Sequence, residues 1–314
     1  MTSSTPKTLA VIGCGNIGSR LLQSAAAVGL RGLTVYGVEP FEAALQLSAE
    51  RFAQIDSPTG APHRLKMVAS VDAIPETVDL LIVACSAHQR MDALKSALSK
   101  TTPRAVLLEK VLFTRSSDYA VARDLLDGIP TWVNTTRNIW PGYVDLKAAL
   151  PKGELELSVD GSDWGLGSNG IHFLSLIEML AEAEVTSIEI TDPIARDSKR
   201  ADYRDLTGVL SATLSDGSKA ILASGEDEGR AMEVTLKQGR TVYALNEGKG
   251  TLNGEPFKIL YTSQLGFALK EMLTDRASGL PTLAESTRLH KLYLDAFRPH
   301  IHPQSPEGEL CMVT

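Results

Sequence analysis

The sequence predicts an α/β chain in two parts: a doubly wound parallel sheet over residues 1–130, then an α+β domain with a mostly antiparallel open sheet over residues 131–314. Three observations carry this expectation. A chain of 314 residues is longer than one hydrophobic core usually organises. In the first part, short apolar runs alternate with stretches of helical spacing, as repeated βα units do. In the second, alternating apolar and polar runs follow one another closely, joined by SDGS, KQGR and LNGE, which favour tight reversals.

The elements follow in order. LAVIG is a strand, Ile17 to Val28 a helix, LTVYGVE a second strand and FEAALQLSAERFAQI a second helix. LKMVAS and VDLLIVACS are strands, the latter apolar throughout, as in a strand covered on both faces. MDALKSALS is helical, RAVLLEK a strand, DYAVARDLL helical, and PTWVNTTR the last strand of this part. These strands lie too far apart in sequence for hairpins, so they pair in parallel. Beyond about Asn138, ELELSVDG, VTSIEIT, LTGVLSATLSDGSKAILASG, MEVTLKQGRTVYAL and GTLNGEPFKIL read as strands. Helices are expected at Ile171–Glu182, Ser263–Thr274 and Leu283–Phe297.

Composition limits the function. With 43% hydrophobic and 22% charged residues the chain reads as a soluble globular protein. A net charge of −7 without a basic run argues against nucleic acid or an anionic membrane as the main partner. No apolar stretch is long enough to span a bilayer, and MTSSTPKTLAVIG lacks the layout of a signal peptide. Cys14, Cys85 and Cys311 are scattered and odd in number, which suggests neither a disulfide framework nor a zinc site. A reduced, cytoplasmic setting is expected.

Gly13-Cys14-Gly15-Asn16-Ile17-Gly18 fits G-x-G-x-x-G between a strand and a helix. Gly13 permits the tight turn, Gly15 lets backbone approach a pyrophosphate, and Gly18 lets the helix lie close to the strand. The amides that open the helix, at Asn16 and Ile17, then face the phosphates. Glu39 ends the second strand 21 positions after Gly18, where a carboxylate accepts from both ribose hydroxyls and repels a 2′-phosphate. No arginine follows to rescue that phosphate, so NAD is expected over NADP. Without a ligand, Glu39 would be an ordinary strand-end charge.

RAVLLEK closes with Glu109 and Lys110. In its order of motifs (GCGNIG, Glu39, the Ala84–Arg90 turn, EKV and a later G-x-H) the chain resembles the glucose–fructose oxidoreductase / inositol dehydrogenase (Gfo/Idh/MocA) family over both parts. The resemblance implies a Rossmann domain and NAD-dependent hydride transfer at a hydroxyl or carbonyl carbon of a sugar, cyclitol or nucleotide-linked sugar. It places Glu109 with the cofactor and Lys110 beside the reacting carbon. The chemistry agrees: hydride loss makes the carbon electron-poor, so the hydroxyl proton must leave too, and a lysine of lowered pKa can take it. Val111 stands where the family usually has proline, so this peptide is expected to be less constrained.

In DWGLGSNGIHFLSLIEML, Phe173, Leu176, Ile177 and Leu180 form an apolar stripe, with His172 and Ser175 on its flank. Family members commonly carry an Asp four residues before this His; here that position is Ser168, which cannot serve as a carboxylate base. Lys110 and His172 would then divide the proton chemistry, with Asn169 orienting substrate. These stretches, with WVNTTRNIWPGY and KRADYRDLTGVL, resemble a divergent branch associated with bacterial surface-sugar and amino-sugar pathways. Asn134, Arg137, Tyr143, Lys199 and Tyr203, with Arg200, are candidate substrate contacts, the cations suiting a phosphate or carboxylate. Ser86 is a candidate cofactor contact and Arg90 a substrate contact; His88, in the same loop, reads equally as a contact or as simply exposed. Cys14 reads as a small filler, and the late histidines have no metal-ligand spacing, so no metal is expected. A broad open sheet needs covering, which predicts a homodimer or homotetramer through the second domain. Two other readings stay open: a non-catalytic dinucleotide sensor, motivated by the missing Asp and Pro, and an imine reductase using the same lysine.

Overall fold

The computed structural model describes residues 6–198, 200–226, 229–302 and 309–313. They form two compact units: Met1–Phe113 with Ala120–Asn134 and Leu260–Leu283, and Thr114–Tyr119 with Thr135–Ile259 and Ala284–Thr314. The return of Leu260–Leu283 to the first unit was not anticipated.

The first unit runs β1 (Thr8–Ile12), α1 (Asn16–Ala26), β2 (Thr34–Val38), α2 (Glu42–Ala53), β3 (Arg64–Val68), β4 (Thr77–Val78), β5 (Leu80–Val83), α3 (Ala87–Leu98), β6 (Thr102–Pro103) and β7 (Val106–Leu108). After α4 (Ser116–Leu125) comes β8 (Thr131–Val133). Its main sheet has the order β3-β2-β1-β5-β7-β8 and is parallel throughout. Leu9, Ala10, Val11, Leu80, Leu81 and Ile82 are fully buried, the signature of central strands covered on both faces. The strand order reverses between β1 and β5, and in open parallel sheets ligands bind outside the carboxyl ends of the strands at such a point. The returning segment is pinned by Ser24, whose hydroxyl donates to the Thr262 carbonyl (2.6 Å) and accepts from the Leu265 amide (2.8 Å).

The second unit contains α5 (Pro141–Ala149), β9 (Glu156–Ser162), α6 (Leu166–Ala181), β10 (Val185–Asp197), β11 (Arg204–Leu214), β12 (Lys219–Gly225), β13 (Glu233–Gln238), β14 (Thr241–Asn246), β15 (Thr251–Leu252) and β16 (Glu255–Pro256). α7 (Gly266–Thr274) belongs to the returning segment of the first unit, and α8 (Leu283–Ile301) closes the second. The sheet order is β10-β11-β12-β9-β13-β14-β15-β16, antiparallel except for β12 beside β9. Alternation does what the sequence predicts: Leu157, Val159, Leu210, Leu222, Val234 and Leu236 are buried on one face, with more exposed residues between them. Phe173, Leu176 and Ile177 of α6 are fully buried.

Two helices differ from expectation. α5, for which the sequence predicts no element, begins at Pro141, whose missing N–H is harmless at the first helical position. α6 begins five residues before Ile171 because Gly165 adopts φ +78° and Asp205 accepts from the Gly167 amide (2.7 Å), capping the helix from β11. No helix among the described residues is long and apolar enough to cross a membrane.

Candidate active site

In the first unit, the glycine loop, Glu39, Ser86 and Lys110 follow the carboxyl ends of β1, β2, β5 and β7. The loop geometry separates the three glycines by task. Gly13 has φ +84°, and a Cβ there would lie 2.7 Å from the Cys85 amide nitrogen. A Cβ on Gly18 would come within 1.8 Å of the Gly13 carbonyl oxygen, so glycine is what lets α1 sit against the loop. At Gly15 no atom lies within 4 Å of such a Cβ. Gly15 and Asn16 are exposed and Ile17 half-buried; α1 has no side-chain cap and no acidic residue in its first turn. Its opening amides are thus disposed to receive an anion.

Glu39 is buried, and its carboxylate accepts from the Cys14 amide (3.0 Å) and the Phe41 amide (3.3 Å). A carboxylate has about four acceptor positions, so two loop amides leave capacity for a ribose diol. Burial, with the Glu39 charge behind it, pushes the Cys14 thiol up to about 12. A thiol held protonated is inert, in keeping with its reading as a filler. Ser86 opens α3, its hydroxyl donating to the Gln89 side chain (3.0 Å).

Lys110 is half-buried at the end of β7, and the Lys110–Val111 peptide is cis although residue 111 is not proline. Beside it, Glu109 accepts from the Asn134 side-chain amide (2.7 Å), both residues being buried. Burial raises the Glu109 carboxyl above the ordinary carboxylate range, opposed by the charge of Lys110, the Asn134 hydrogen bond and the charge of Arg90. The Asn134 carbonyl oxygen is buried with no hydrogen-bond partner.

Arg90, expected to meet substrate, is only 2% exposed. Its guanidinium donates to the Cys85 carbonyl (2.7 Å) and to the carbonyls of Val111 and Leu112. The side chain is directed into the loops rather than outward.

In the second unit Arg137 and Tyr143 both meet a buried carboxylate, that of Glu247. Arg137 donates through Nε to Glu247 Oε1 (2.7 Å) and through Nη2 to Glu247 Oε2 (2.6 Å), and the Tyr143 hydroxyl donates to the same Oε1 (2.6 Å). The guanidinium lies 4.0 Å from the Phe173 ring centroid and 5.2 Å from that of Trp140. Burial opposes the Arg137 charge and Glu247 more than offsets it, while burial and Glu247 together raise the Tyr143 hydroxyl well above its usual value. Both side chains are thus committed to a buried acid that sequence reasoning missed, 104 and 110 residues further on. Tyr203 is buried rather than projecting from its loop. Lys199 lies outside the described residues.

His172 is buried on α6, 8% exposed. One turn on, the Ser175 hydroxyl donates to Thr135 and Asn138 side-chain oxygens (both 3.1 Å). Asn169 donates to the Trp164 carbonyl (2.6 Å), so its amide braces the helix start. Asp205, also missed, is an inward-facing acid in a strand; the charge within YRDLTG was its only signal in the sequence. Among the described residues no group of three or more His, Cys, Asp or Glu is placed to hold a metal.

No protein-family model matches the sequence, and no curated protein matches it significantly. Solved structures do. UDP-N-acetylglucosamine 3-dehydrogenase GnnA from Acidithiobacillus ferrooxidans superposes with a TM-score of 0.69 at 18% identity, over 93% of this chain and 97% of its own. This chain shares the fold of that dehydrogenase. The scyllo-inositol dehydrogenase of Lactobacillus casei, with bound NAD(H) and scyllo-inositol, matches at 0.63 and 13% identity over 92% of this chain and 95% of its own. An oxidoreductase from Agrobacterium radiobacter, in complex with NAD+, L-tartaric acid and magnesium, matches at 0.69 and 13% over 96% and 98%. The resemblance drawn from GCGNIG and EKV is therefore met by the fold along nearly the whole chain.

Proposed function

We propose that the protein is an NAD(H)-dependent oxidoreductase acting at a hydroxyl or carbonyl carbon of a sugar, cyclitol or nucleotide-linked sugar. The observation that carries this reading is the placement of four features on one sheet: the glycine loop, Glu39, Ser86 and Lys110 all follow carboxyl ends of parallel strands around the switch point. The fold neighbours that hold NAD(H) support it.

The residues fit the cofactor. Gly15 leaves open space before the first amides of α1 for a pyrophosphate, and Glu39 would accept from the ribose hydroxyls and repel a 2′-phosphate. Bound there, the dinucleotide supplies the hydride acceptor or donor. Lys110, as the free amine, takes the hydroxyl proton while the carbinol C–H leaves as hydride; as the ammonium, it returns that proton to the carbonyl oxygen. In the second unit His172 is the candidate for a further proton-exchanging group.

A second copy of the chain would cover the open face of the large sheet. The row Ser211–Ile221–Ser158–Thr235–Ala244 crosses four strand pairs without a charge, and Ile221 and Val242 are 38% and 49% exposed. Sedimentation should then return a dimer or tetramer.

The test is turnover with NAD and NADH against inositols, sugars and nucleotide sugars, with Lys110→Ala beside the wild type. Turnover lost in the variant while NADH still binds supports the reading. Tight NADH binding with no turnover across the panel would favour a dinucleotide sensor instead.

A further inference from the structure

We propose that Arg90 is a positioning residue for Lys110, bracing the lysine's loop against the loop that packs on the cofactor-binding turn. The inference rests on Lys110 as the proton-transfer group.

The loop after β7 leaves regular structure at Glu109, so its carbonyls have no ladder partners, yet Val111, Leu112 and Phe113 are all buried. Buried carbonyls require donors. Arg90 supplies them at the two residues that follow Lys110, and with a third N–H···O bond it grips the Cys85 carbonyl. Cys85 in turn lies against Gly13, where a Cβ would be 2.7 Å from its amide nitrogen. One connected frame therefore runs from the glycine turn through Cys85 and Arg90 to the backbone that carries Lys110. A planar guanidinium can fan donors to three carbonyls in fixed directions; an ammonium, a point charge on a flexible stem, cannot reproduce that arrangement. The Arg90 charge also acts on Glu109, next to Lys110 in the chain. A displacement of about 1 Å at a catalytic group can cost roughly 100-fold in rate.

The experiment uses the full chain with Arg90→Ala, Arg90→Lys and, as reference, Lys110→Ala. NADH binding is followed by fluorescence, and kcat and KM with the best-used member of a panel of myo-inositol, scyllo-inositol and UDP-N-acetylglucosamine. A substrate-free readout accompanies them: the titration of Lys110 after reductive 13C-methylation, its signal assigned by Lys110→Arg. The proposal expects Arg90→Ala to bind NADH within a few-fold of wild type and lose about 100-fold in kcat with KM little changed. It also expects a displaced Lys110 titration midpoint. Added guanidinium should restore at least about tenfold of the lost kcat in Arg90→Ala and none in Lys110→Ala, while Arg90→Lys should remain impaired. A merely structural role would lower stability without moving the midpoint or permitting rescue. If Arg90→Ala fails to fold, Arg90→Lys provides the kinetic and titration readouts. Variants that bind NADH with unaltered kcat and an unaltered Lys110 midpoint overturn the positioning role, and if no panel member turns over, the midpoint alone decides. Turnover surviving in Lys110→Ala would instead remove the reading on which the proposal rests.

Discussion

Replacing Glu247 with alanine separates a structural from a substrate-binding role for Arg137 and Tyr143. The carboxylate accepts three hydrogen bonds, at 2.7, 2.6 and 2.6 Å. Its loss strands a guanidinium whose side chain is 11% exposed and a tyrosine hydroxyl on a residue that is fully buried. Removing one partner of a buried ion pair costs about 3–5 kcal/mol, within which an orphaned neutral hydroxyl accounts for about 1–3. The faces of Phe173 and Trp140 still hold the cation and limit the loss toward the lower end of that range. At roughly 2–4 °C per kcal/mol, the melting transition should fall by about 6–20 °C in calorimetry. Arg137→Met combined with Glu247→Met should recover much of this, because it removes both buried charges together. A loss below about 1 kcal/mol, typical of an exposed pair, would refute the reasoning. So would a double variant as unstable as the two single losses added. If Arg137 instead bound substrate, its variants would raise KM at an unchanged melting temperature.

Two further outcomes follow from the first unit. The Glu109 carboxyl is raised above 4.5, so the folded state holds its proton longer than the unfolded state; its contribution to stability is fully present below about pH 4.5 and is lost as pH rises through the folded value. Glu109→Gln should therefore gain on the wild type as pH climbs from about 4.5 toward neutrality in paired urea titrations, and a pH-independent difference would contradict this. Gly15→Ala should fold with wild-type stability and bind NADH at least about tenfold more weakly, since its Cβ meets nothing within 4 Å of the protein but projects where the pyrophosphate would approach. Gly18→Ala should instead lose about 1–3 kcal/mol or more in stability, its Cβ falling 1.8 Å from the Gly13 carbonyl oxygen. Thermal melts and fluorescence titrations of the two variants check this opposite ordering.

What could be read from the sequence was set by local physics. The tasks of Gly13 and Gly18 are imposed within a few residues, so G-x-G-x-x-G announced the turn before its geometry was known. Unbroken apolar runs marked the buried parallel strands, and period-two alternation marked the half-covered second sheet. The failures share a cause of another kind. An arginine after a strand looks the same whether it meets a ligand, as expected of Arg90, or three backbone carbonyls, as found. Arg137 and Tyr143 are decided by Glu247, an acid in the LNEG turn after β14 with nothing nearby to signal a distant partner. α6 was placed too short because its true start depends on Asp205, 38 residues away, accepting from Gly167. The contacts of Glu247 and Asp205 are long-range polar contacts, which neither spacing nor periodicity encodes.

The most direct test of the central claim is a crystal structure of the full chain with NADH and a panel compound that it turns over. The account predicts the pyrophosphate against the Gly15–Ile17 amides, the adenosine ribose on Glu39, and Lys110 Nζ within roughly 3 Å of the substrate oxygen. A dinucleotide bound elsewhere, or a reacting carbon out of Lys110's reach, would contradict it.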